Sequence, residues 1–448
     1  MSQPPLPDLA EALISAALKA GAEAADALAV TGTSLSIDIR QGQLEQAERA
    51  EGTEVGLRVL IGRRQACVSA SDTSPATLAV LAERAVAMAR EAPEDPTAGL
   101  ADPADLATDR DAGGLELEDP ARDPGAAALE EAARELEAAA LQAKGITQAE
   151  ASAAFSRRSI AIAQSNGFSG GYGRTGHSRS VTAFCGEGTG MQRDFAGESR
   201  LFATDLPDNA EIGAQAAERA LARLGGVKPP TGTYPVLYDE RVAASLVGHL
   251  LAAINGTAIA RGASWARELM GQAVLPAGID LIEDPLRRRG PASRLFDAEG
   301  LACRRKLLVA DGVLQSWVLD LATGRKLGLA STGNAGRGTG APPSPVTTNI
   351  DLTPGSATKA ELIAQMGTGL LVTSMIGQTI SATTGDYSRG ASGWWVEGGR
   401  LSHPVQECTV AGNLREMLRR IVPANDARPH LSLRVPSILI DGMTLAGA

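Results

Sequence analysis

The spacing of apolar positions in the first 90 residues predicts two helices around a small antiparallel sheet. Apolar residues recur with helical spacing over 9–18, and Asp8 with Glu11 predicts a capping box where this helix begins. Residues 27–70 instead alternate between apolar and polar positions, as strands with one buried face do. A second helix is predicted to begin at Pro75, because proline suits the first helical turn.

The same order of elements returns after residue 125. Residues 91–125 are rich in Pro, Asp, Ala and Gly without periodicity, which predicts an exposed linker. A third helix is predicted over 126–144. Short strands follow over 146–200, with a hairpin turn at 165–167 because Asn-Gly tolerates positive φ. A fourth helix over 209–224 would complete a second module of strands and helices.

Paired prolines within residues 228–232 predict the boundary between two domains, because they stop a helix and disfavour a central strand. A strand and a helix over 241–254 follow, and the remaining chain is rich in glycine, turns and strand-like segments. We therefore predict an α+β protein of two domains. Residues 1–227 would form an α/β domain of small antiparallel sheets with helices. Residues 228–448 would form a β-rich, barrel-like domain with this one helix packed against it.

The composition of the chain excludes some classes of function without changing the predicted fold. The 448 residues are 44% hydrophobic and 21% charged, as expected of a globular protein, and the formal net charge is −10. That charge disfavours direct nucleic-acid binding, which needs clustered Lys and Arg. No run of about 18 apolar residues and no signal peptide is recognised, so we expect no membrane span. Cys67, Cys185, Cys303 and Cys408 are far apart, which favours reduced thiols in a cytoplasm.

One segment, residues 381–414, concentrates rare side chains. Aromatic residues make up 3% of the chain, yet Tyr387, Trp394 and Trp395 lie close together here among glycines. Glycine lets backbone approach another surface closely, and aromatic rings supply rigid contact area. Two interpretations stay open. The rings could fill the end of a β-rich core, or the segment could line a peptide or ligand groove.

Three stretches of the chain carry a resemblance to a known family. They are GDYSRGASGWWVEGG at 385–399, HPVQECTVAGNLREML at 403–418, and residues 296–338. In this order they resemble the TldD/PmbA family, and specifically its PmbA (TldE) branch, whose members carry the label "modulator of DNA gyrase". The resemblance implies a subunit of a cytosolic peptidase complex that cleaves unfolded peptides together with a TldD-type subunit.

The helix over 241–254 bears most on function. In the TldD branch the matching helix carries HExxxH, in which two histidines hold a metal and the glutamate serves as base. The resemblance places Ala244, Ser245 and His249 at those three positions, so only the last histidine is present. It therefore implies no metal or other cofactor in this chain and zinc in the partner subunit. A single histidine on an apolar helix face is also compatible with ordinary packing.

Residues elsewhere could still build a self-sufficient hydrolase. The candidates are His249, His403, Cys408 and Glu407. Catalytic zinc needs three protein ligands, and a thiol nucleophile needs a base, a role open to His403 beside Cys408. No two of these candidates have metal-ligand spacing on a helix, and the pairing of Cys408 with His403 depends on how the chain folds. The other two histidines, His177 and His430, have no acidic or cysteine neighbour in sequence that suggests a site.

A glycine-rich loop at 333–340 offers two further interpretations. Its backbone N–H groups and Arg337 could cradle phosphate, although it lacks the lysine and the strand–loop–helix context of a P-loop. Alternatively it is a mobile loop that lines a substrate groove. The residues predicted for that groove are Tyr387, Arg389, Trp394, Trp395, Asn334 and Arg337.

The sequence analysis thus favours a PmbA/TldE-type subunit that supplies groove and interface surface to a TldD-type metallopeptidase. A self-sufficient hydrolase and a non-enzymatic interaction protein are the alternatives. Whether the chain forms a homodimer without its partner stays open.

Overall fold

The computed structural model describes residues 4–447. Its N-terminal half contains, in chain order, α1 (Leu6–Lys19), β1 (Ala24–Arg40), β2 (Gln43–Ile61), β3 (Arg64–Ala70), α2 (Pro75–Glu91), α3 (Ala126–Leu141), β4 (Ile146–Gln164), β5 (Ser169–Cys185), β6 (Gln192–Arg200) and α4 (Asn209–Leu221). The four predicted helices are present. The capping box predicted for α1 is wrong, because its N-cap residue is Pro5 and no side chain caps it. In contrast, the Ser74 hydroxyl caps α2 by accepting the N–H of Thr77.

The two predicted modules share one sheet with strand order β3-β2-β1-β4-β5-β6, because β1 pairs with β4. Four of its strands, β1, β2, β4 and β5, are 17 to 19 residues long, so they are not short. Odd-numbered residues of β1 such as Ala27 and Ile37 pack against the helices. Leu28 points from the opposite face towards Phe296 of the C-terminal half. One face of the sheet is thus covered by helices and the other meets the second domain.

The segment between α2 and α3 has no strand and only two short 3₁₀ turns, as its composition predicted. It is not uniformly exposed, however. Ala107 and Leu117 are buried, and the Ala107 N–H donates to the carbonyl of Gly300 at 2.8 Å. The segment therefore packs between the two halves of the chain, where its apolar side chains are shielded from solvent.

The C-terminal half contains β7 (Gly232–Tyr238), α5 (Glu240–Ala253), α6 (Gly256–Ala260), β8 (Leu281–Glu283), β9 (Lys306–Ala310), β10 (Val313–Leu314), α7 (Leu321–Leu327), β11 (Ala335–Gly336), β12 (Ser344–Pro345), β13 (Ile350–Leu352), α8 (Lys359–Met366), β14 (Gly369–Ile380), β15 (Asp386–Glu397), β16 (Arg400–Asn413), α9 (Leu414–Leu418), β17 (Val422–Pro423), β18 (Leu433–Arg434) and β19 (Ile438–Ala446). The predicted single helix, α5, is accompanied by four shorter ones. Capping boxes at Asp320 and Thr358 start α7 and α8.

Five strands close into a barrel in the order β16-β15-β14-β7-β19, with β19 pairing back onto β16. The α+β class and the barrel-like C-terminal domain are therefore confirmed. The barrel strands pack against α5 through one face and against α8 through the other. Gly393 of β15 lies so close to the Leu371 carbonyl of β14 that a Cβ there would clash. Within residues 4–447, no helix is both long and apolar enough to cross a membrane.

Candidate functional site

Helix α5 begins directly after barrel strand β7 and is held there by its cap. The Asp239 carboxylate accepts the N–H of Arg241 at 3.2 Å, and Asp239 itself forms an ion pair with Lys359 at 2.8 Å. The apolar stripe of the helix is buried in the same cluster as the barrel strands; it consists of Ala243, Leu246, Val247, Leu250 and Ala253. This packing fixes the rotation of α5 about its axis and so places His249 at the edge of its buried stripe.

His249 lies half-buried next to the barrel. Its ring meets the ring of Tyr387 edge-on, with 6.1 Å between centroids, and its Nε2 is buried without a hydrogen-bond partner in the described part of the chain. Burial, with a smaller contribution from the positive charge of Arg389, lowers the pKa of His249 below its usual value. The imidazole is therefore neutral at pH 7, the form that could ligate a metal or accept a proton.

The other two motif positions cannot assist it. Ala244 has no polar side chain, and the Ser245 hydroxyl donates to the Val242 carbonyl of its own helix at 2.7 Å. Across residues 4–447, no group of three or more His, Cys, Asp or Glu side chains is placed to hold a metal ion. A zinc ion held in the manner of HExxxH therefore does not fit the residues of this chain.

A small cavity of about 240 Å³ lies beside His249. Its other lining residues are Ala252, Ala253, Ala258, Ala263, Trp265, Ile380, Ala382 and Leu414. Apart from the imidazole this lining is almost wholly apolar. The cavity offers a neutral imidazole in an apolar setting but no carboxylate that could act beside it as a base.

The structure does not join Cys408 and His403 into a thiol–imidazole pair. They are five residues apart on β16, and a strand advances about 3.3 Å per residue, so roughly 16 Å separates them along it. Cys408 is buried, its Sγ donates to the Ala391 carbonyl at 3.2 Å, and burial raises the pKa of its thiol to about 11. His403 is half-buried next to Ser402, and Glu407 is exposed and paired with Lys228 at 3.4 Å. Cys408 is thus a protonated core thiol at pH 7.

The aromatic residues predicted to line a groove lie on different faces of β15. Trp395 is 6% exposed and meets Tyr234 edge-on at 5.1 Å, and Tyr387 is 2% exposed with its hydroxyl donating to Met375 Sδ at 3.6 Å. Both therefore belong to the core shared with α5, which agrees with the interpretation that the rings of this segment fill a β-rich core. Trp394 is half-buried on the α8 side.

The remaining three groove candidates are tied to the framework. Arg389 is half-buried and its Nε donates to the Gly377 carbonyl at 2.8 Å. Asn334 is fully buried and its amide donates to the carboxylate of Glu283 at 2.8 Å. Arg337 is buried in an ion pair with Asp26 of β1. Through Arg337, the loop at 333–340 is therefore tied to the N-terminal sheet, and its role as a groove wall stays a prediction.

Two histidines pair with carboxylates that are distant in sequence, which sequence reasoning missed. His177 Nε2 lies 3.4 Å from Asp119, and His430 Nε2 lies 3.1 Å from Glu198. Despite burial, hydrogen bonds from His430 and Arg200, with the charge of Arg428, lower the pKa of Glu198 to about 2. Since each pair joins segments at least 58 positions apart, no local pattern could have revealed it.

Family models match three parts of the chain. The PmbA/TldA metallopeptidase domain 1 matches residues 25–89, the central domain matches 119–224, and the C-terminal domain matches 231–447. The metalloprotease PmbA of Escherichia coli O157:H7 is 36% identical over 417 residues, covering 93% of this chain and 90% of that protein. A PmbA homologue of Haemophilus influenzae is 34% identical over 437 residues, covering 97% and 94%.

Solved structures share the whole architecture. A protein of Bacteroides thetaiotaomicron, described as a modulator of DNA gyrase, is 26% identical with a TM-score of 0.91, covering 98% of both chains. TldE from Thermococcus kodakarensis is 18% identical with a TM-score of 0.83, covering 98% of this chain and all of that one. At this identity the similarity establishes a common fold and nothing about function. The fold and the three matched domains together place the chain in the class of PmbA/TldA metallopeptidase-type proteins. The chain belongs to the PmbA/TldD family.

Proposed function

We propose that this chain is the PmbA/TldE-type subunit of a two-subunit peptidase and that its TldD-type partner carries the zinc. The observation that supports this most is helix α5. It keeps its packing against the barrel, yet Ala244 and Ser245 occupy the positions where HExxxH has a histidine and a glutamate. A neutral His249 without a second ligand cannot hold a catalytic zinc, which needs three protein ligands. The chemistry therefore belongs to the partner.

The partner assignment is supported by sequence relationship. The metalloprotease TldD homologue of Haemophilus influenzae is 26% identical to this chain over 213 residues, which covers 46% of this chain. Two related chains can keep a common dimer surface while only one keeps a metal site, because a surface that binds its own copy also fits a close relative. A homodimer of this chain in the absence of the partner is compatible with the same argument.

The substrate of the complex would be an unfolded peptide in the cytoplasm, and this chain would contribute binding surface. Trp394 and Arg389 are the predicted groove residues that remain half-buried, so they are the ones that could meet a peptide or the partner. No observation favours the self-sufficient hydrolase, since His249, His403 and Cys408 lie in separate surroundings. The net charge of −10 continues to disfavour direct nucleic-acid binding.

Assembly with the partner is the first expected result. Analytical ultracentrifugation of this chain mixed with the TldD-type subunit of the same organism should show a species that contains both chains in equal amounts. Each chain alone at the same concentration is the control, because a homodimer of either chain would have a mass similar to that of the complex of both chains. Two unmixed species over the accessible concentration range would contradict the proposal and favour the interaction protein without a peptidase partner.

A further inference from the structure

A second, larger cavity lies between the N-terminal sheet and the C-terminal domain. It has a volume of about 450 Å³, within the roughly 300–1,000 Å³ that is usual for small-molecule sites. Part of its wall is apolar and is formed by Leu28, Ile160, Ile162 and Phe296. The rest of the wall holds four arginines, Arg158, Arg174, Arg294 and Arg337. The cavity is separate from His249 and from the pocket beside it.

Two of these arginines are fixed by backbone carbonyls. Arg174 donates through both terminal nitrogens, to Pro291 and to Ser293, and its Nε is buried without a partner in the described part of the chain. Arg294 is held in the same way by the carbonyls of Ala335 and Val346, at 3.1 and 3.4 Å, and its Nε is likewise buried and unpartnered. These guanidinium groups are positioned before any ligand arrives.

Arg337 adds a nearly fully buried cation. Its side chain is 1% exposed, and it shares the carboxylate of Asp26 with Arg58. One carboxylate therefore serves two guanidinium groups. The remaining terminal nitrogen of Arg337 is buried and has no hydrogen-bond partner within residues 4–447. Because this side chain is buried, Arg337 contributes positive charge behind the wall, and hydrogen bonds to a ligand are left to the more exposed arginines Arg158, Arg174 and Arg294.

The wall of this cavity carries a surplus of positive charge. Within residues 4–447, Arg174 and Arg294 donate to backbone carbonyls only, and neither they nor Arg158 have a carboxylate within 4.0 Å. Burial, with repulsion from Arg294 and Arg158, lowers the pKa of Arg174. Asp297 is the acidic residue in the wall; burial raises its pKa, while three backbone N–H groups and the charge of Arg294 act in the opposite direction. Even with Asp297 ionised, the arginines in the wall outnumber its carboxylates in a chain of net charge −10, so this cavity favours an anion.

We propose that this interdomain cavity binds a small organic anion. Its carboxylate or phosphate group would accept hydrogen bonds from Arg158, Arg174 and Arg294, and its apolar part would lie against the apolar wall around Ile160. Guanidinium groups suit both anions, because their planar donors match paired oxygens. The proposal does not depend on the peptidase partner, since every lining residue belongs to this chain.

Calorimetric titration of the full chain at low salt tests the proposal with three probes: inorganic phosphate, hexanoate and the neutral hexanamide. We expect at least one anion to bind and hexanamide not to bind. Binding of hexanoate alone would identify a carboxylate ligand, and binding of phosphate alone a phosphate ligand. The test variant is Arg158→Gln, because Arg158 is exposed and its removal leaves the core intact. It should weaken anion binding by about tenfold, since a charge-assisted hydrogen bond is lost.

The neighbouring residue gives a matched control. Arg157 lies next to Arg158 on β4 but pairs with Glu118 and Asp123, both at 2.7 Å, and does not line the cavity. Arg157→Gln removes the same charge from the chain and should leave anion binding unchanged. The proposal is overturned if neither anion binds, if hexanamide binds as well as hexanoate, or if the two variants weaken binding equally.

Discussion

A mixture of this chain with a TldD-type subunit is expected to cleave an unfolded peptide at least about 100-fold faster than this chain alone. Positioned acid–base groups contribute about 100- to 10,000-fold, and a metal that polarises the scissile carbonyl adds to this. In this chain Ala244 and Ser245 provide neither a ligand nor a base. Initial rates measured with a fluorogenic unfolded peptide, at a fixed total of protein and varied subunit ratio, should peak near equal amounts of both chains.

The control for this measurement is each subunit alone, together with His249→Ala and Cys408→Ala in this chain. If this chain alone approaches the rate of the mixture, and either substitution abolishes that rate, the self-sufficient hydrolase replaces the proposed function. If the TldD-type subunit alone matches the mixture, this chain does not contribute to catalysis and the interaction protein is favoured.

Trp395→Ala is expected to lower the free energy of unfolding by about 3–5 kcal/mol, the usual effect of truncating a buried aromatic side chain. Trp395 is 6% exposed and packs edge-on against Tyr234, so its removal would leave a cavity between β15 and the elements around it. Urea unfolding followed by the fluorescence of the remaining tryptophans, all of which lie in the C-terminal half, measures the loss as a lower midpoint of that half's transition.

Trp394→Ala is the matched control, because it removes the same side chain from the neighbouring position on the opposite face of β15. Trp394 is only half-buried, so the expected loss of stability is smaller. If Trp394 contributes to the partner interface, its substitution should weaken assembly more than folding. Equal losses of stability in both variants would contradict the assignment of the two rings to different surroundings.

Local signals account for the parts of the fold that the sequence predicted well. Helix α2 does begin at Pro75, and a turn at 165–167 does join β4 to β5. The pairing of strands that are distant in sequence has no such local signal. The union of both modules through β1 and β4, and the closure of the barrel between β16 and β19, depend on residues more than 30 positions apart. The length and continuity of the sheets were therefore the part that could not be predicted.

The same limit applies to the site. The position of His249 on an amphipathic helix, and the substitutions at Ala244 and Ser245, follow from the motif alone. Whether Trp395 fills the core or lines a groove depends on which face of β15 the barrel buries, and a pair of adjacent tryptophans fits either answer. Arg337 was expected near a ligand as part of a loop. Its actual partner, Asp26, is 311 positions away, so only the fold could show that this loop contacts the N-terminal sheet.

The zinc content of the two separated subunits tests the central claim most directly. The complex is purified, its chains are separated, and each is dialysed against a weak chelator before metal analysis. Zinc should be found with the TldD-type subunit, and this chain should hold far less than about one zinc ion per copy. The reason is that His249 is a single ligand where three protein ligands are needed. About one zinc ion per copy of this chain, lost in His249→Ala, would contradict the account and restore a metal site to this subunit.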